Sequence, residues 1–218
     1  MRMLLTMILA LLAGPALAQT APAPAPEAPL PRVEIITTEG AFILEIDIRK
    51  APITAANFLR YVDQKRLDGI TFYRVTRVAE HFGFVQFGVN GDPKRVLPPI
   101  KHERTSLTGL LHLDGTISVA RNAPGTARGE FTISIGDQPG LDADPSRPDD
   151  KDHTNLGYAT FGRVVSGMDV VLKIFGAPIS PTATVRGAFK GEVPVAPVRV
   201  IKAIRVVNPV RPVPIRVG

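Results

Sequence analysis

Three short strand-like runs hold the residues that could do chemistry. Thr71-Phe72-Tyr73-Arg74 runs into Val75-Thr76. Gly115-Thr116-Ile117-Ser118-Val119-Ala120-Arg121 and Gly129-Glu130-Phe131-Thr132-Ile133-Ser134-Ile135 follow it. The first run sets one arginine beside aromatic residues. A guanidinium held over an apolar floor can donate hydrogen bonds to a peptide group. The plainer alternative for Arg74 is a structural ion pair with Glu130, since such pairs are commoner than catalytic arginines.

No Cys–His cluster, phosphate loop or nucleophile elbow in the sequence competes with this centre. Cysteine is absent, which excludes disulfides and thiolate chemistry. Asp142 and Asp144 have the opening spacing of a calcium loop. The position that needs glycine is Arg147, however, and no glutamate closes the loop. A solvated polar loop over Gln138–Asn155 is the better reading. His81, His102, His112 and His153 show no metal-ligand spacing and read as surface or packed residues. The expectation is an activity with no metal and no cofactor.

The elements that must position these residues alternate in period. Val33–Thr37 and Ala41–Ile48 are β-branched runs joined by a Thr38-Glu39-Gly40 turn. In the second, Phe42, Leu44, Ile46 and Ile48 share one apolar face. From Ala51 the period becomes helical, with Ala55, Phe58, Leu59 and Val62 on one side. Pro52 and Thr54 suit the start of that helix, and Leu67-Asp68-Gly69 should end it. Strands are expected at Phe72–Val75, Phe84–Phe87, Thr116–Ala120, Phe131–Ile135, Ala159–Val164 and Val198–Val206. Ser166–Phe175 reads as a second short helix, with Ser166 or Asp169 as its cap. Many short strands with two short helices point to a mainly β protein, a closed antiparallel barrel capped by the helices. An open β-sandwich is the alternative.

The ends differ from the body. Met1–Ala18 has Arg2, an apolar stretch from Met3 to Ala13 and Ala16-Leu17-Ala18, the pattern of a cleaved secretory signal peptide. Its apolar run is too short for a membrane span, which takes roughly 20 residues, so no stable membrane insertion is expected after cleavage. Residues 19–31 are an Ala/Pro-rich linker held extended by alternating proline. Residues 32–208 have the length of one domain, followed by a tail at 209–218. The 26 Lys and Arg against 20 Asp and Glu give +6. These charges are scattered and not interleaved with aromatics, which argues against nucleic acid as a partner.

The ordered series of motifs resembles the cyclophilin-type peptidyl-prolyl cis–trans isomerases, in particular the shorter exported bacterial members. The likeness runs from about Val33 to Val206. It rests on Pro52-x-Thr54-x-x-Asn57-Phe58, Phe72-Tyr73-Arg74-Val75, Gln86 with Gly88, Gly115–Arg121, Gly129-Glu130-Phe131, Leu141-Asp142, and Phe161-Gly162-Arg163-Val164 leading into Gly167-Met168-Asp169. The resemblance implies an eight-stranded barrel capped by two helices, with the site on its outer face. It implies Arg74 as the catalytic arginine and Gln86 as the residue that orients the substrate. Ala120, Arg121 and Asn122 match the strand edge that pairs with a bound peptide. Glu130, Phe131, Thr132, Leu141 and Tyr158 match the remaining substrate contacts.

Departures from that pattern are specific. A phenylalanine expected three residues before Gln86 is Gly83; Phe84 shares the strand face of Gln86, and Phe82 stands ready to replace the missing ring. Thr132 stands where a second phenylalanine lines the proline pocket, which makes the pocket more polar. Gly140 stands near Leu141 where some members carry tryptophan. The resemblance thus implies a monomeric periplasmic isomerase acting on proline-containing segments of exported proteins. Its competitors are a low-turnover proline-peptide-binding chaperone or adaptor of the same fold, favoured by Gly83 and Thr132, and a purely structural barrel.

Overall fold

A computed structural model describes residues 27–151 and 153–206. The expected signal peptide, the linker before Glu27 and the tail at 209–218 lie outside the described residues. Among those described, no helix is long and apolar enough to cross a membrane.

The chain opens with a hairpin of β1 (Arg32–Thr37) and β2 (Gly40–Ile46). Strand alternation buries Phe42, Leu44 and Ile46. Ile48 lies beyond the strand and is 43% exposed, so the apolar face ends one residue pair early.

Helix α1 (Pro52–Asp63) starts at its proline but has no side-chain cap of its own. Glu103 supplies one from a distant loop. Its carboxylate accepts hydrogen bonds from Ile53 N (3.1 Å), Thr54 N (2.7 Å) and Thr54 Oγ1 (2.7 Å). An acid at a helix N-terminus satisfies orphan donors and complements the dipole. The expected end at Gly69 is corrected: the helix stops at Asp63. Lys65 adopts a left-handed φ of 54°. Lys65 N then donates to Val62 O and Arg66 N to Tyr61 O, each at 2.9 Å, closing the last turn in the manner usually given to glycine.

The chain continues through β3 (Thr71–Ala79), β4 (Phe82–Gly88), a single helical turn α2 (Thr105–Thr108), β5 (Thr116–Val119) and β6 (Glu130–Ile135). It then forms β7 (Ala159–Ser166), α3 (Met168–Phe175), β8 (Ile179–Ser180), β9 (Val193–Pro194) and β10 (Val200–Val206). Among the described residues three α-helices stand where two were expected. The residue before α3 is Gly167 at φ 78°, not Ser166 or Asp169, and no side chain caps it. A Cβ at Gly167 would lie 2.5 Å from Ala41 O, so contact with β2 requires the glycine.

Eight strands form one antiparallel sheet in the order β10-β1-β2-β7-β5-β6-β4-β3. The expected closed barrel is corrected here. The sheet is an open, strongly curled half-barrel with β10 and β3 at its edges. Across the gap Thr71 and Arg199 form one isolated bridge, flanked by Phe72 N to Val198 O and Val200 N to Ile70 O, both 2.8 Å. The chain leading into β10 carries Pro194 and Pro197, which have no N–H to extend a ladder along β3.

Inside the curl, α1 lays Phe58 against Phe131 (centroids 5.0 Å apart) and Phe161 (5.3 Å), and Phe131 also meets Phe87 at 5.8 Å. Phe72 joins the same stack at 4.7 Å from Phe87. Each buried ring contributes roughly 1.5–3 kcal/mol, so this stack anchors the strands whose outer face carries the candidate site.

Candidate active site

The outer face of four neighbouring strands carries a polar row. Arg74 of β3 is paired in register with Gln86 of β4, Gln86 with Thr132 of β6, and Thr132 with Ser118 of β5. Strand alternation turns these side chains outward while their neighbours Val75, Val85, Phe131 and Val119 fill the core. A register shift between Phe72 and Arg74 adds Tyr73 as a bulge residue. Both Tyr73 and Arg74 therefore line the same groove, a use of bulges that re-aims side chains next to sites. The groove has a volume of about 840 Å³.

Arg74 is held on two sides. Its Nε donates to Glu192 Oε2 at 2.7 Å and its Nη1 to Gln86 Oε1 at 3.1 Å. Its guanidinium lies 5.1 Å from the Phe84 ring centroid and 4.1 Å from that of Phe189. The ion pair weighed as the plainer alternative for Arg74 forms with Glu192, not with Glu130. Glu130 instead accepts from Tyr73 Oη at 2.7 Å and Gly91 N at 3.3 Å. Burial pushes its carboxyl above the ordinary 4.5, against the lowering by the Tyr73 hydrogen bond. Burial likewise raises the Tyr73 hydroxyl, with the Glu130 charge adding to it.

The remaining expected residues divide. Phe84, Ala120, Arg121, Asn122, Glu130, Thr132, Leu141 and Tyr158 all line the groove with Arg74 and Gln86. Phe131 does not: it is fully buried in the aromatic core, because it alternates with Glu130 and Thr132. Phe82 does not either. It sits at the β3–β4 turn, 38% exposed, outside the groove. It opens β4 opposite Ala79, beyond the register shift between Arg77 and Ala79. Gly83 itself has no room for a side chain, since a Cβ there would lie 1.9 Å from Thr76 O.

Thr132 Oγ1 is hydrogen-bonded to Ser118 Oγ at 2.8 Å, so the floor beneath the pocket is polar. Arg121, expected to matter only through its backbone, also uses its side chain. Nη2 donates to His153 O and Gly157 O, both at 2.7 Å, and the guanidinium lies 5.0 Å from the Tyr158 ring centroid. This fastens the 153–158 stretch to the groove wall. Gly140 O accepts from Arg147 Nη1 at 2.9 Å, and a Cβ at Gly140 would meet open space. Among the described residues no group of three His, Asp or Glu side chains is placed to hold a metal ion.

Sequence reasoning missed Phe189, Glu192 and Arg186, which come from the segment between α3 and β10. The signal available was one aromatic residue set among Gly187 and Gly191.

Comparison with known proteins agrees with this architecture. The family model described as cyclophilin type peptidyl-prolyl cis-trans isomerase/CLD matches residues 32–204. A peptidyl-prolyl cis-trans isomerase of Acinetobacter baylyi is 36% identical over 68% of this chain and 73% of its own length. One of Streptomyces antibioticus is 35% identical over 81% of this chain and 98% of its own. The crystal structure of a Cryptosporidium parvum cyclophilin type peptidyl-prolyl cis-trans isomerase superposes with a TM-score of 0.65 at 19% identity, covering 83% of this chain and 99% of that one. A second structure of that protein, in the presence of the dipeptide Ala-Pro, gives 0.63 at the same identity over 81% and 99%. With a curled antiparallel sheet, an outward arginine–glutamine pair and a family match across its folded body, the chain belongs to the cyclophilin-type peptidyl-prolyl cis–trans isomerases.

Proposed function

We propose that the outer groove is where this isomerase accelerates rotation about X–Pro peptide bonds. The uncatalysed barrier is roughly 18–20 kcal/mol because the amide must lose its resonance. No bond breaks, so the task is to bind the twisted amide better than either planar isomer. Arg74 donates a hydrogen bond to the proline nitrogen as it becomes pyramidal, and Gln86 orients the carbonyl side. Phe84, Thr132, Leu141 and Tyr158 grip the ring. The edge at Ala120, Arg121 and Asn122 pairs with the peptide, although Ala120 N already donates to Glu130 O and Asn122 N to Thr126 Oγ1.

The observation that carries this reading is the Arg74–Gln86–Thr132–Ser118 row, with the guanidinium fixed at the groove. The dipeptide Ala-Pro present with the Cryptosporidium parvum protein supports proline-containing segments as the ligands. A protease-coupled isomerisation assay on short X–Pro peptides tests it; no acceleration by the purified body would refute it. The polar Thr132–Ser118 floor favours a second reading, a low-turnover binder of proline segments. That reading predicts peptide binding by calorimetry without turnover.

We further propose that the substrates are exported proteins, met in the periplasm by a monomer released from its signal peptide. Met1–Ala18 and the Ala/Pro linker support this. N-terminal sequencing of the exported protein should begin at Gln19, and a retained Met1 in a membrane fraction would overturn it.

A further inference from the structure

The turn between β8 and β9 does more than connect them. It packs along the edge strand β3 and places Arg186 and Phe189 in the lining of the groove. Glu192 O accepts from Val75 N at 2.8 Å, which latches the turn beside Arg74. The Glu192 carboxylate then takes Arg74 Nε at 2.7 Å and Thr76 Oγ1 at 3.0 Å. At the other end Arg186 Nη1 donates to Asn90 O at 2.9 Å, tying the turn to the loop after β4. Phe189 stands between these two anchors in sequence. It is only half-buried, lines the groove, and lies 4.1 Å from the Arg74 guanidinium and 6.5 Å from the Tyr73 ring.

The backbone of this turn is not relaxed. Arg186 and Phe189 adopt left-handed φ values of 53° and 63°, in a stretch where Gly187 and Gly191 adopt 82° and 81°. A phenylalanine in that region is unfavourable and persists only where its surroundings impose it. A turn that merely covered the edge of β3 would be served better by glycine at 189. Here the strain holds an aromatic ring against the arginine at the mouth of the site.

We infer that this turn is a working wall of the active site: Glu192 is a positioning residue that aims Arg74, and Phe189 is a specificity-determining residue that packs on an apolar side chain flanking the proline. The inference rests on the assignment of the groove as the isomerase site. Glu192 fixes Nε and Gln86 takes Nη1, which together confine the guanidinium to a plane and turn Nη2 toward the substrate. Phe189 supplies apolar area at the side of a pocket whose floor, Thr132, is polar. The Thr132 position thus lacks a ring while Phe189 brings one to the same groove.

The test uses the full chain, a panel of peptides with Ala, Leu, Phe or Glu on either side of proline, and the variants Glu192→Ala, Glu192→Gln, Phe189→Ala and Phe189→Leu. Melting temperatures identify variants that have lost the fold. Glu192→Ala should lower kcat about tenfold, the effect of releasing one hydrogen bond to a charged group. Glu192→Gln, which keeps the acceptor, should recover most of that loss. Phe189→Ala should raise KM about tenfold for the Leu and Phe peptides and little for the Ala peptide, flattening the wild-type preference. Phe189→Leu should restore much of the preference. Equal loss in Glu192→Gln and Glu192→Ala would overturn the positioning role. Faster turnover in Phe189→Ala would show that the turn obstructs the groove, and an unchanged peptide ranking would show that it contacts nothing bound; either overturns the specificity role. An inactive wild type would instead remove the groove assignment itself, and this inference with it.

Discussion

Replacing Arg74 by alanine separates chemistry from architecture. The guanidinium lies against the Phe84 and Phe189 rings and is held by Glu192 and Gln86. What it offers a twisting amide is a charge-assisted hydrogen bond worth about 1.5–3 kcal/mol. Its loss should slow turnover about ten- to a hundredfold, at tenfold per 1.36 kcal/mol. The cost to the fold should be smaller. The Arg74–Glu192 pair is about a quarter exposed, with side-chain accessibilities of 22% and 27%, and pairs open to solvent contribute about 1 kcal/mol or less. For a domain of this size that lowers Tm by only about 2–4 °C. Lysine should not rescue activity, because a single ammonium cannot hold Glu192 and Gln86 while donating to the substrate. The assay is protease-coupled isomerisation beside a thermal melt on the same preparation. Wild-type turnover in a variant with an unchanged melting temperature would refute the catalytic assignment of Arg74.

Thr132→Phe breaks the 2.8 Å bond to Ser118 but restores a ring to the pocket floor. Calorimetry should show proline peptides binding about two- to tenfold more tightly, the range of an added aromatic contact; weaker binding would mean the space is already filled. Gly129→Ala should destabilise by about 1–3 kcal/mol, read as a lowered Tm, because its Cβ would lie 2.6 Å from Tyr61 Cζ in the core. Buried His112 bonds Asp142 through Nδ1 at 2.7 Å, while its Nε2 has no partner. Burial therefore lowers its affinity for a proton below the ordinary 6.5, despite the Asp142 carboxylate, and the unfolded chain takes up that proton more readily. Stability should fall as pH drops through 6.5, and His112→Asn should flatten that slope in melts between about pH 8 and 5.

Local periodicity made most of the scaffold legible. Alternation located the strands around Arg74, Gln86 and Thr132, and Pro52 marked the start of α1. The same alternation turns Phe131, between Glu130 and Thr132, to the other face and into the core. What failed was non-local. Lys65 ends α1 in place of a glycine because the close of the helix turns on backbone bonds to Tyr61 and Val62. Glu103 caps α1 from far along the chain. Glu192 finds Arg74 from 118 residues further along the chain, a pairing that neither residue's neighbours announce. Whether a sheet closes is likewise decided at its two edges, and here β3 and the chain entering β10 meet at an isolated bridge.

The pairing of β1 with β10, Arg32 opposite Val206, makes the order of synthesis matter. The first strand made waits for the last, so the domain has a high contact order and cannot complete its fold while its C-terminal part is still being made. Until β10 arrives, one side of β1 presents unpaired backbone groups, with Val33 and Ile35 beside them. A chain cut short of Val200 should therefore not persist as a smaller folded unit; it should aggregate through that bare strand. Conversely, the start of β1 and the end of β10 lie side by side, and joining them while opening the chain at an exposed loop should yield a circular permutant that still folds.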